Sequence, residues 1–169
     1  SHSSGGRASL VVDNIYIPSR TFLLMAQRKL YEEFQEGAEY ETDGRTVTHS
    51  DVRMFVGATG STDPIHVDEE YASEHPLVDD VVLQGTLLLG IADGFLVDAI
   101  AGEAALTMNF GHNEVRYTGG VSPGDTVHAA IEVVDLSRRD SEWGVLTAVV
   151  ELVNQDGEVV LIDRHRLLI

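Results

Sequence analysis

The residues best placed to do chemistry are Asp63 and His66, three apart in the segment Gly60-Ser61-Thr62-Asp63-Pro64-Ile65-His66. Pro64 fixes its own φ and pushes Asp63 out of helical geometry, so the pair is predicted on a stiff, bent segment and not on a helix face. A carboxylate beside an imidazole orients the ring and favours its charged form, which suits a group that moves protons near neutral pH. The same spacing also serves a purely structural Asp-Pro turn, in which Asp63 caps the bend. Other chemistries lack their residues. The chain has no Cys, which removes disulfides, thiolate metal sites and cysteine nucleophiles together. No Gly-x-Ser-x-Gly elbow occurs, and GATGST at 57–62 has the glycines of a phosphate loop without its Lys. The seven His are scattered, with no i, i+4 pair carrying a Glu between them, so no metal site is predicted.

The element that must position the pair is the stretch 85–101, GTLLLGIADGFLVDAIA. Leu87, Leu88, Leu89, Ile91, Ala92, Phe95, Leu96, Ala99 and Ile100 leave almost no polar face at helical spacing, so a helix buried on most sides is predicted. Thr86, Gly90 and Gly94 form one narrow stripe with Asp93 beside it, a track where another backbone or a ligand can come close. After Gly102 every run has strand character: 106–117, 126–136, 145–153 and 159–169. Gly111 reads as a bulge, and Asn154-Gln155-Asp156-Gly157 as a hairpin turn. The order predicts an α+β domain, an antiparallel sheet of five or six strands curled over one long helix, its last three strands a meander.

Upstream, the first nine residues, SHSSGGRAS, read as an expression scar running into a disordered tail, leaving 10–169 as a single domain. An apolar run covers 10–17, and 22–34 carries helical spacing. The stretch 39–47, with Asp43-Gly44 inside it, suits a strand, a bend or a short hairpin. Thr48, with Asp51 three residues on, predicts the start of a helix that buries Val52, Phe55 and Val56 and ends at Gly57 and Gly60.

The net charge of −17, from 28 acidic against 11 basic residues, opposes binding to nucleic acid or an anionic membrane surface. No window of 18 apolar residues exists, so no membrane span is expected, and the lack of Cys fits a cytoplasmic location.

TGSTDPIHVDEEYA resembles the hydratase-2 motif of MaoC-like dehydratases and (R)-specific enoyl-CoA hydratases, Gly-Asp-x-Asn-Pro-aliphatic-His followed by a short acidic helix. The likeness extends through EGAEYETDGRTVTHSDV, LQGTLLLGIADGFL, NEVRYTGGVSPGDTV and NQDGEVV, which is most of the chain. It implies a hot-dog fold, a dimer or higher homo-oligomer, no cofactor, and hydration or dehydration of an acyl thioester on coenzyme A or acyl carrier protein. It further implies His66 as the catalytic His and the Gly85 amide, at the start of the long helix, as the group holding the thioester oxygen. Ser61 stands where the family has its catalytic Asp, and Asp63 where it has Asn. The missing acid therefore falls to Asp63 on the same bend or to Asp93 on the helix, near where many members have Ser. Gln84 stands where His or Pro is common in the family. Two other readings stay open: a hot-dog enzyme of altered chemistry, such as a thioesterase or a pathway-specific dehydratase or cyclase, and a non-catalytic partner of an active hot-dog subunit.

Overall fold

A computed structural model describes residues 28–169 together with a short antiparallel pair, β1 (Val11–Val12) and β2 (Ile15–Tyr16). The expected tail 1–9 and most of the expected helix at 22–34 lie outside the described residues. The described end of that segment is not an α-helix. Tyr31–Glu33 makes one 3₁₀ turn between extended Leu30 and Phe34. Lys29 is instead tied to the end of the long helix, its amide donating to the Glu103 carbonyl (2.8 Å) and its carbonyl accepting from the Ala105 amide (2.9 Å). At residues 29–34 tertiary pairing prevails over the local helical pattern.

A six-stranded antiparallel sheet is built from β3 (Glu39–Glu41), β4 (Arg45–Thr46), β5 (Met108–Tyr117), β6 (Thr126–Arg138), β7 (Gly144–Val153) and β8 (Val159–Leu168). Its order is β3-β6-β7-β8-β5, with β4 also on β6. Glu41 pairs with Ala130 and Arg45 with Val127, so 39–47 is one edge strand broken at Asp43-Gly44 and not a hairpin. The strands β6, β7 and β8 form the expected meander, and the register shifts beside Gly111, whose φ of +120° suits glycine.

Strand alternation puts Val127, Ala129, Ile131 and Val133 of β6, and Leu146, Ala148, Val150 and Leu152 of β7, on the buried face. Against these strands packs α3 (Gly85–Leu96), the third helix after α1 (His49–Thr59) and α2 (Glu69–Ser73). Leu88, Ile91, Ala92 and Leu96 are its buried side, and the chain continues as a π-helical turn, Val97–Ala101, that buries Ile100. Leu96 and Ile100 are fully enclosed, each burial contributing roughly 1.5–3 kcal/mol. The expectation of a helix buried on most sides is corrected by the other face: Thr86, Gly90, Gly94 and Val97 are exposed. One sheet covers only one side of a helix. Among the described residues no helix is long and apolar enough to cross a membrane.

Candidate active site

The site loop leaves α1, and α1 begins as its sequence requires. The Asp51 amide donates to Thr48 Oγ1 (3.3 Å), while the Asp51 carboxylate accepts from the Thr48 amide (2.8 Å), a reciprocal cap. Burial pushes the Asp51 carboxyl up, but the Thr48 hydroxyl and amide and the Arg45 guanidinium outweigh it and hold its pKa below the usual carboxylate range. Val52 is buried, with Phe55 and Val56 partly so, but Gly57 lies within the helix; Gly60 alone ends it, at φ +72°.

Beyond Gly60 the chain turns through Ser61 and Thr62 into a 3₁₀ turn, Pro64–His66. Asp63 sits at its head with φ −56° and ψ 130°, and its Oδ1 accepts from the Ile65 amide at 3.2 Å. Asp63 is thus the cap of the bend; the His66 amide donates to its carbonyl (2.9 Å), but among the described residues no hydrogen bond or ion pair joins the two side chains. The His66 ring instead donates Nδ1–H to the Val82 carbonyl at 2.8 Å, a partner that can only accept. That bond fixes the tautomer and leaves the lone pair on Nε2.

Two further bonds stitch this loop to the strand-like lead into α3. The Val82 amide donates to the Ile65 carbonyl (3.3 Å), and Gln84 Nε2 donates to the Ser61 carbonyl (3.3 Å). Gln84 is only 2% exposed, and its Oε1 is buried without a partner among the described residues. No side chain caps α3; the Leu87 and Leu88 amides both bond to the Gln84 carbonyl (3.0 Å each), which leaves the Gly85 and Thr86 amides without a partner among the described residues, at the helix end where a developing negative charge is favoured. Gly85 is needed for space: a Cβ there would lie 2.9 Å from the ring carbons of Tyr117, which roofs the helix start from the end of β5. Strand pattern places Tyr117 on β5 but cannot show that its ring lands on Gly85. A small depression of about 50 Å³ opens beside His66, lined by His49, Val52, Arg53, Val67, Glu69 and Val81. Larger open grooves, such as one of about 570 Å³ along Glu39, Glu132 and Glu151, lie away from His66 and Gly85.

His66 and Ser61 are therefore each bonded to the segment 82–84 that runs into Gly85. Asp93 is not. Eight residues along α3 from Gly85, it lies about 12 Å further down the axis, and its Oδ1 is 3.7 Å from Nε2 of His165 on β8. The idea that the histidines are scattered is also corrected. His112 on β5 faces His165 across the sheet, ring centroids 4.3 Å apart, and Asp163 lies between their Nδ1 atoms. The signal was present as Asp163-Arg164-His165, two polar residues at i, i+2 on the inward face of a strand.

Residues 33–155 match the MaoC like domain. Protein MaoC of Klebsiella aerogenes is 33% identical over 104 residues, 62% of this chain and 30% of that protein, so the chain spans less than a third of that relative. The (R)-specific enoyl-CoA hydratase of Rhodospirillum rubrum is 28% identical over 106 residues, 63% of this chain and 70% of that protein. The crystal structure of a monoamine oxidase regulatory protein from Archaeoglobus fulgidus superposes with a TM-score of 0.78 at 34% identity, covering 84% of this chain and 94% of that one.

Proposed function

The chain belongs to the MaoC-like domain family, whose fold is the hot-dog, and on that footing we propose that it adds water across the 2,3 double bond of an enoyl thioester, or removes it from the 3-hydroxyacyl form. The carrier is coenzyme A or an acyl carrier protein. The observation that carries the reading is the Nδ1 bond of His66 to the Val82 carbonyl, which leaves a basic Nε2 at the mouth of the site.

In hydration, Nε2 takes a proton from water as the oxygen bonds to C3. The electron pair of the double bond moves onto the thioester as an enolate, whose oxygen meets the Gly85 amide at the start of α3. A proton then returns to C2, so the elements of water are added and nothing else is consumed. Asp63 shares the water through its second carboxylate oxygen, the first being held by the Ile65 amide. Gln84 Oε1, buried and unpaired, is a further acceptor for the same water. Asp93 has no place in this step. The depression beside His66, about 50 Å³ and not lined by Gly85, is far below the several hundred that a thioester ligand fills, and in this reading a second copy of the chain, seated on the open stripe of α3, completes the cleft.

The test is turnover of a short trans-2-enoyl-CoA by the purified protein, followed as loss of the enoyl thioester and, separately, as release of free thiol. His66→Ala should lower hydration by about 100-fold or more; survival within a few-fold rejects the assignment. Asp63→Asn keeps the cap, so a large loss of rate without loss of stability names Asp63 as the acid. If Asp63→Asn and Asp93→Asn both keep full rate while Ser61→Asp creates activity that the parent lacks, the protein is not a hydratase of the family type. Thiol release without hydration marks a thioesterase.

A further inference from the structure

Four ionisable side chains meet between α3 and the β5–β8 pair: Asp93, His112, Asp163 and His165. Asp163 and His165 are fully buried, while the His112 side chain keeps 27% of its exposure. His112 Nδ1 lies 2.8 and 3.0 Å from the two Asp163 oxygens, and His165 Nδ1 lies 3.0 Å from Oδ2. The far nitrogen of His165, Nε2, is buried without a hydrogen-bond partner, and the charged group nearest it is an acceptor, Asp93 Oδ1 at 3.7 Å. Of the two carboxylates only Asp163 is enclosed, the Asp93 side chain keeping 42% of its exposure, and a carboxylate buried like Asp163 must be paired or ligated.

Asp163 is the point on which the cluster converges: the Nδ1 atoms of both rings lie within 3.0 Å of its oxygens, while Nε2 of His165, 3.7 Å from Asp93, is beyond hydrogen-bond reach. Because His112 Nδ1 converges on the same carboxylate, one ion there touches three donors at once.

The geometry points to a binding site for one divalent transition-metal ion, zinc in the first instance, held by His112 Nδ1, His165 Nδ1 and the Asp163 carboxylate. Two imidazoles and a carboxylate are the donors such ions select, and a hard ion such as Mg²⁺ avoids them. The donor atoms all lie within 4.8 Å of one another. Bonds of about 2.0–2.2 Å in a tetrahedron set donors about 3.3 Å apart, so the imidazole–carboxylate pairs, now 2.8 and 3.0 Å, open by a few tenths of an ångström while the wider pair, within 4.8 Å, closes. Asp93 then supplies the carboxylate that holds the other N–H of a metal-bound His. The partly exposed edge of His112 is the access route and leaves a fourth position for water.

The experiment uses the whole chain, stripped with chelator and titrated with Zn²⁺ by calorimetry and with Co²⁺ by visible absorption. One ion per chain is expected, with the Co²⁺ bands of imidazole–carboxylate coordination and a melting temperature raised by several degrees. His112→Gln, at a partly exposed position the fold tolerates, should weaken binding by about 100-fold or more. Asp93→Asn should weaken it by about tenfold while keeping one site. His66→Ala should leave binding unchanged, which separates this site from the proposed active site. No saturable binding by the parent chain, or binding indifferent to His112→Gln, overturns the assignment and leaves Asp163 as a hydrogen-bond partner of the two rings.

Discussion

At the scale of single residues, the steepest dependence is at Gly85. Its lack of a Cβ lets the Tyr117 ring lie against the first turn of α3, over the amides that the proposed reaction uses. Gly85→Ala must displace that ring, so hydration is expected to fall by about tenfold or more while the global stability changes little; helix propensity alone favours Ala. Tyr117 is half exposed and its replacement opens no core cavity. Combining Gly85→Ala with Tyr117→Ala should then recover most of the rate lost. Measured kcat and KM for the two single variants and the double variant decide this, and strict additivity of the two losses would show that the contact is irrelevant. Asp63 illustrates the opposite case. Its chemistry was legible as an Asp-Pro bend, but whether the carboxylate serves the neighbouring ring or the backbone depends on a torsion, and at ψ 130° it caps Ile65.

At the scale of elements, α1 sets the position of the site loop through its two ends. The cap at Thr48 and Asp51 was readable because four residues and local geometry suffice to make it. Asp51→Asn is expected to lose about 1 kcal/mol at neutral pH, the usual contribution of such a cap. The pKa of Asp51 is depressed in the folded chain, so its stabilisation is complete above the ordinary carboxylate value near 4 and fades as pH falls through the folded value. The difference in unfolding free energy between parent and variant should therefore be constant from about pH 5 to 8 and shrink below about pH 4. Urea melts across this range measure it, and a difference that grows on acidification contradicts the assignment. In the described end of the segment 22–34, Lys29 pairs with Glu103 and Ala105, residues some 70 positions distant, and Tyr31–Glu33 makes a 3₁₀ turn.

At the scale of the molecule, two surfaces are left open among the described residues. β5 is an edge strand of ten residues with Met108, Phe110 and Tyr117 exposed, and α3 shows its Thr86-Gly90-Gly94 stripe on the same open side. Pairing of two copies edge to edge along β5 satisfies the free strand groups and covers the helices. A dimer is expected by sedimentation at micromolar concentration. With a charge of −17 on each chain, its affinity should rise with salt. Phe110→Lys should shift the chain toward monomer and lower hydration with it; a monomeric parent with full activity would remove the second copy from the site.

The amino-acid sequence by itself determined the elements and their order, since periodicity, caps and turn residues are local: the helix at 85–101, the four long strands, the turn at 154–157 and the stiff bend at 63–66 all follow from neighbours within one or two turns of chain. It also offered His66 as a candidate, through a motif carried on consecutive residues. What only the tertiary structure decided are the meetings between distant segments. His66 finds Val82, Gln84 finds Ser61, Tyr117 covers Gly85, and His112, Asp163, His165 and Asp93 converge from two strands and a helix. Each such meeting depends on strand register and on which face of α3 the sheet covers, quantities set by packing of the whole core and not by any local stretch.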